Sequence, residues 1–194
     1  MAVSGVLLVI SAPSGAGKLT LLNEIRARKE DRFVTTVSAT TRQPRKGEEH
    51  GVDYYFVDRE AFIARRDRGE FVEWAEVHGN LYGTLNAELD RCLETGKDVI
   101  LELDVQGMKN LCKLREDVVS VFLMPPSLEE LERRLRNRGT DDDDVIALRL
   151  KNARVEIADR HAFDYIVVND KIEKAASDLE AIIRAERCRA DRQP

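Results

Sequence analysis

Apolar positions along the chain follow two rhythms. Five nearly continuous runs, Val6–Ser11, Phe33–Ser38, Val99–Asp104, Val118–Met124 and Tyr165–Val168, are rich in Val, Ile, Leu and Phe. Strands buried on both faces read this way. Between and after them the apolar spacing becomes helical, over Leu19–Lys29, Arg59–Arg68, Leu85–Thr95, Gly107–Arg115, Leu128–Arg138, Asp144–His161 and Glu173–Arg189. The alternation predicts an α/β fold, a parallel five-stranded sheet with flanking helices. The stretch Thr40–Thr84 breaks the rhythm. It carries Gly47, Gly51, Gly69, Gly79 and Gly83, with short alternating runs at Asp53–Val57 and Phe71–His78, and predicts a small mixed-β lobe inserted into the core. From Ser127 to about Asp159 the pattern gives two charged helices. Ser127 and Glu130 form a capping box for the first, and Asp141–Asp144 reads as a solvated turn favouring the N-terminus of the second. The expected pieces are core 1–37, lobe 38–90, core 91–126, helical pair 127–159, and core with a C-terminal helix 160–194.

Composition narrows the functional classes. A chain of 194 residues buries a sizeable core, and 31 basic against 36 acidic residues leave a net charge of −5. That balance argues against nucleic acid or anionic membrane as a partner, while leaving room for a local basic pocket. The run Val6–Ile10 is far short of the ~20 apolar residues that span a bilayer, and no signal-peptide pattern surrounds it. Cys92, Cys112 and Cys188 are odd in number and widely spaced, as in reduced cytoplasmic proteins. His50, His78 and His161 have no metal-ligand spacing.

The sharpest motif follows the first run. Ala12-Pro13-Ser14-Gly15-Ala16-Gly17-Lys18-Leu19-Thr20 nearly matches G-x-x-x-x-G-K-[ST] in the strand–loop–helix context that pattern requires, which makes the core of the P-loop NTPase type. Gly15 and Gly17 let backbone N–H groups turn toward phosphate oxygens, the helix N-terminus adds positive potential, and Lys18 reaches the terminal phosphates. Ala12 replaces the first Gly, a mild change. Leu19 replaces the hydroxyl residue that touches Mg²⁺, and Thr20, one residue on, is rotated by about 100°. Because Mg²⁺ keeps several waters in such sites, a water filling the gap predicts weakened metal binding with the reaction retained.

Downstream, Arg42 and Arg45 sit on a Pro-containing loop where two forked donors can converge on one phosphate. Then come Phe71-Val72-Glu73-Trp74-Ala75-Glu76, Gly79-Asn80-Leu81-Tyr82-Gly83-Thr84 and the acid-ending strand Asp98–Asp104. With these motifs in this order and spacing, the chain from Val6 to Arg187 resembles the bacterial-type guanylate kinases. The resemblance implies an ATP:GMP phosphotransferase that uses Mg²⁺. It implies that Ser38, Arg42, Arg45, Glu48, Tyr54, Glu73, Tyr82, Thr84, Glu102 and Asp104 bind GMP, with dGMP also accepted. The phosphate loop Ala12–Thr20 would bind ATP together with Arg134, Arg138 and Asn169. Lys18, Arg42, Arg134, Arg138 and Arg149 would be catalytic. No direct metal ligand is assigned, Asp104 acting at most through water. Guanine presents N1–H and a 2-amino group side by side, a pair one carboxylate accepts together, whereas adenine has an acceptor at N1. Spacing alone leaves Glu73 a solvent-facing strand residue, whereas Glu102 and Asp104, ending a strand in a phosphate-loop core, read as functional acids that orient Mg²⁺ or its waters, ordinary strand-end acids being the alternative.

In Leu128–Arg138, Leu128, Leu131 and Leu135 form the apolar stripe, with Arg134 and Arg138 on its flank and Arg133 and Arg136 on the solvated side. Arg149 falls on an apolar face of the next helix with no obvious anion, and internal ion pairing remains the other reading of each arginine. The resemblance makes 127–159 a lid over ATP. Its arginines, with Lys18, Arg42 and Arg45, give a cleft expected to be opposite in sign to the acidic surface. A module that has lost catalysis, supported by Leu19 alone, is the alternative. Monomer and homo-oligomer are equally open.

Overall fold

The computed structural model describes residues 5–28, 32–45, 47–77, 79–137, 139 and 141–192. The main sheet comprises β1 (Leu7–Ser11), β2 (Phe33–Thr35), β7 (Asp98–Glu102), β8 (Val118–Met124) and β9 (Tyr165–Val168). It is ordered β2-β7-β1-β8-β9, and every pairing is parallel. The carboxyl ends of β1 and β7 therefore open on the same edge, where open α/β sheets hold ligands. Helices α1 (Lys18–Arg28) and α7 (Ile172–Arg187) cover one face, burying Leu21, Leu22, Ile25, Leu179 and Ile183 against β1 and β8. Helices α3 (Asn86–Leu93) and α4 (Val105–Leu114) cover the other through Leu89, Cys92, Met108 and Leu111.

The inserted lobe holds a second sheet of β3 (Ala39–Thr40), β4 (Tyr55–Phe56), β5 (Phe71–Val77) and β6 (Asn80–Leu85), ordered β4-β3-β6-β5, with α2 (Arg59–Asp67) packed on it through Phe62. The sheet is mixed, since β3 runs parallel to β4 and antiparallel to β6. The run read as one strand over Phe33–Ser38 is divided here. Its first half pairs with β7. By Ser38 the chain has crossed over, and the Ser38 carbonyl accepts the Tyr55 N–H of the second sheet. At the crossing the buried Glu88 accepts the Val37 N–H at 3.0 Å and is paired with Arg91.

Helices α5 (Leu128–Asn137) and α6 (Asp143–Ala158) form the helical pair, closed around Leu131, Leu135, Ile146 and Ala153. The predicted helix Asp144–His161 is α-helical only to Ala158, its last turn being 3₁₀ over Asp159–Ala162. Ser127 caps α5 by accepting the Glu130 N–H at 3.1 Å, but the Glu130 carboxylate pairs with Arg133 and Arg134 instead of closing the box. Arg133 and Arg136 lie on the exposed side as predicted. Asp142 caps α6 by accepting the Val145 N–H at 2.9 Å.

Candidate active site

The phosphate loop leaves β1 and feeds directly into α1. Gly15 and Gly17 have φ of +95°, a region costly for any residue with a β-carbon. Both are also closely approached: a β-carbon on Gly15 would lie 2.9 Å from Leu135 Cδ2, and one on Gly17 would collide with the Asn169 amide. The loop is thus gripped from two sides by helix α5 and by the segment after β9.

The loop forms one wall of a cleft of about 460 Å³. Lys18 and the exposed Leu19 and Thr20 stand on that wall. Glu102 comes from the end of β7 and Asp104 from the N-cap of α4, Ser38, Arg45, Tyr54, Glu73 and Tyr82 from the inserted lobe, and Arg149 from α6. Residues more than a hundred positions apart thereby share one space. Lys18 Nζ lies 3.4 Å from a Glu102 carboxylate oxygen. Arg149 donates to Ser14 Oγ at 3.3 Å, so this arginine of α6 touches the phosphate loop. It also has the anion the sequence did not reveal: Asp141 lies 3.1 Å away and is almost buried, which corrects the reading of that turn as wholly solvated.

Glu73 is 6% exposed at a β-bulge of β5. Burial pushes its carboxyl up to about 7, hydrogen bonds from Thr84 work against this, and Asp104 adds to it. Its Oε1 accepts the Thr84 N–H at 3.0 Å, while the Thr84 hydroxyl lies 3.2 Å from Ser38 Oγ. Thr84 is fully buried and is absent from the cleft wall, so it acts on Glu73 and Ser38 from behind. Tyr54 is pushed up to about 12, chiefly by burial and then by Glu102, which keeps its phenol a hydrogen-bond donor at any ordinary pH.

Several predicted residues stand beside the cleft without lining it. Arg42 donates from Nη2 to both oxygens of Glu48, at 2.9 and 3.0 Å, and from Nη1 to the Gln43 carbonyl at 2.7 Å. Its guanidinium lies over the Tyr54 ring, 5.5 Å from the centroid. Glu48 also accepts the Arg45 N–H at 2.7 Å, so it shapes the arginine loop and does not face the cleft. Arg134 donates to Glu130, to the Asn169 carbonyl at 3.0 Å and to the Ala16 carbonyl at 3.5 Å. Asn169, predicted at the ATP base, is buried and donates its amide to the Ala16 carbonyl at 2.7 Å. These two side chains tie the helical pair and the core to the back of the phosphate loop. Arg138, read as a third lid arginine, lies outside the described residues.

Sequence reasoning missed Glu156. It lines the cleft, and its carboxyl is pushed up to about 7 by burial and by Asp104, against the pull of Lys18. The signal was available, because Glu156 follows Arg149 by seven residues and shares its helix face. With Glu156 added, the described cleft wall holds Lys18, Arg45 and Arg149 against Glu73, Glu102, Asp104 and Glu156. The expected cationic pocket is therefore corrected to a mixed one. No group of three or more potential metal ligands gathers among the described residues. No helix among them is long and apolar enough to cross a membrane.

The parallel sheet, the phosphate loop at its carboxyl edge and the flanking nucleotide-sized cleft define the class, a P-loop phosphotransferase. The guanylate kinase family model matches residues 4–186, and the chain belongs to the guanylate kinase family. It is 51% identical to the guanylate kinase of Aromatoleum aromaticum over 185 residues, covering 95% of this chain and 90% of that one. It is likewise 51% identical to that of Geobacter metallireducens over 191 residues, covering 97% and 92%. A crystal structure of guanylate kinase from Anaplasma phagocytophilum superposes with a TM-score of 0.81 at 43% identity, covering 98% and 90% of the two chains.

Proposed function

We propose that the chain transfers the γ-phosphoryl group of ATP to GMP, forming ADP and GDP, in cytoplasmic purine nucleotide recycling. The observation that carries this reading is the shared cleft, in which a phosphate loop faces a buried carboxylate flanked by hydroxyls from a separate lobe. In the proposed division of labour the lobe 38–90 takes GMP and the lid 127–159 covers ATP. Glu73 accepts N1–H and the 2-amino group of guanine, and the Ser38 hydroxyl, with Thr84 behind it at 3.2 Å, meets O6. Arg45, Tyr54 and Tyr82 hold the acceptor phosphate, and Glu48 keeps Arg42 beside them. A GMP phosphate oxygen forms a bond to the γ-phosphorus as the bond from that phosphorus to the bridging oxygen of ADP breaks. No covalent enzyme intermediate is needed. Lys18 leaves Glu102 for the transferred group, and Arg149 approaches it from the lid.

The donor set near Lys18 suits a hydrated ion arriving with ATP better than a resident one. Glu102 and Asp104 are half-exposed carboxylates, no third ligand joins them among the described residues, and position 19 offers an alkyl group, 61% exposed. Glu102 and Asp104 would orient the waters of Mg²⁺, which supplies charge neutralisation on the phosphates. Leu19→Ser is expected to lower the Mg²⁺ concentration needed for half-maximal rate about three- to tenfold, with kcat at saturating Mg²⁺ little changed. An unaltered Mg²⁺ titration rejects the idea that Leu19 weakens metal binding.

The reading as a whole is tested by following ADP formation with GMP, dGMP, AMP, UMP or no acceptor. Turnover confined to GMP and dGMP is expected. Turnover with AMP or UMP alone points to a different small-molecule kinase, and none with any acceptor to a binding module.

A further inference from the structure

Glu73 belongs to the inserted lobe, yet its carboxylate lies against the core, on a glycine in the first turn of α4. A β-carbon added to Gly107 would stand 2.8 Å from Glu73 Oε2, 3.2 Å from Asp104 Oδ1 and 3.4 Å from Leu103 Cβ. The first distance is shorter than side-chain carbons tolerate. Gly107 is not among the glycines with positive φ, so its backbone conformation does not call for glycine. Inside a helix, glycine costs about 1 kcal/mol relative to alanine. Helix stability therefore disfavours the residue found here, and the space it leaves is taken by a carboxylate from another part of the fold. Its N–H donates to Asp104 Oδ1 at 2.6 Å, so two of the acids of the cleft converge on this residue.

We propose that Gly107 is a positioning residue for nucleobase recognition. Its bare α-carbon lets the Glu73 carboxylate seat deeply enough for both oxygens to meet the N1–H and 2-amino pair of guanine. The proposal rests on the assignment of Glu73 to the base. A methyl group at 107 presses on the free end of a flexible side chain, which swings aside at little cost to the fold. Alignment with the N1–H and 2-amino donors is lost, and that alignment is what separates guanine from purines lacking the pair.

The test compares Gly107→Ala, Glu73→Gln and the double variant, using GMP and inosine 5′-monophosphate, which lacks the 2-amino group. In Gly107→Ala the KM for GMP is expected to rise about tenfold, with kcat within about twofold, an unchanged KM for ATP and a melting temperature no lower than that of the parent. The preference for GMP over the inosine nucleotide falls about tenfold, and in the Glu73→Gln background the methyl adds nothing further. An unchanged KM for GMP in Gly107→Ala, where Glu73→Gln raises it, overturns the proposal and leaves the Glu73 assignment standing. A Glu73→Gln variant that uses GMP normally removes both. Additive losses in the double variant, or a melting temperature well below the parent, give Gly107 a role independent of Glu73 and overturn the proposal.

Discussion

Lys18→Met is expected to lower kcat by about 10²–10³-fold while leaving the fold intact. The side chain is partly exposed, and its ion pair with Glu102 at 3.4 Å joins two groups that water reaches. Such a pair contributes roughly 0–1 kcal/mol, so the melting temperature should barely move. Met preserves length and packing while removing the charge. ATP binding should survive in large part, because the backbone N–H groups of the loop and the N-terminus of α1 remain. What is lost is a cation aimed at charge that develops only as the phosphoryl group moves. The loss therefore belongs in kcat, and the KM values should change much less. Single-turnover and steady-state rates alongside thermal melts check this, and a kcat within about threefold of the parent removes Lys18 from the chemistry.

Acidification is expected to weaken GMP binding through Glu73. In the free protein this carboxyl titrates at about 7, because burial penalises its charged form more than the Thr84 hydrogen bonds favour it. Bound guanine supplies two further donors that stabilise the carboxylate. GMP therefore binds the deprotonated form, and below pH 7 each binding event must release a proton. Between pH 8 and pH 6 the affinity for GMP should fall about tenfold, with ATP affinity nearly unchanged. Glu73→Gln should erase this pH dependence and cost about 10²–10³-fold in GMP affinity, since one amide group then faces a ring donor. Stability moves the opposite way. An acid whose folded pKa is raised from 4.5 to about 7 destabilises the fold as pH rises through that window, by on the order of 3 kcal/mol. At pH 8 the Gln variant should melt no lower than its parent. Calorimetric titration of GMP across pH, paired with melts, separates the two effects; a flat pH profile for the parent defeats the assignment.

What the sequence revealed and what it concealed follow from the range of the interactions involved. The runs that became β1, β7, β8 and β9 were legible because a strand covered on both faces must be apolar throughout. The phosphate loop was legible because its residues are contiguous. The stripe Leu128, Leu131, Leu135 was legible from helical periodicity, although its contact with Gly15 was not. The Asp141 partner of Arg149 was hidden by the Asp run around it, in which no spacing distinguishes a buried acid from a capping one. The division of Phe33–Ser38 between two sheets was hidden because both sheets accept the same residue types. Asn169 was placed near the ATP base by resemblance, and the bond from its amide to the Ala16 carbonyl becomes visible only once the chain has folded. Glu48 was grouped with the acceptor site by resemblance, but its geometry is that of a clamp on Arg42.

The mixed lining of the cleft bears on how nucleotides arrive. A funnel of uncompensated cations speeds the encounter with a polyanion and makes the association rate fall steeply with ionic strength. Among the described residues of the cleft, three cations are interleaved with four acids, inside a chain whose net charge is −5. At a Debye length of about 8 Å in physiological salt, those opposing charges largely cancel for a molecule still in solvent. Each nucleotide therefore meets its counter-charges only after entering the cleft. Capture is expected to proceed at an ordinary diffusive rate with little dependence on salt, so that selectivity is expressed in how long a nucleotide stays.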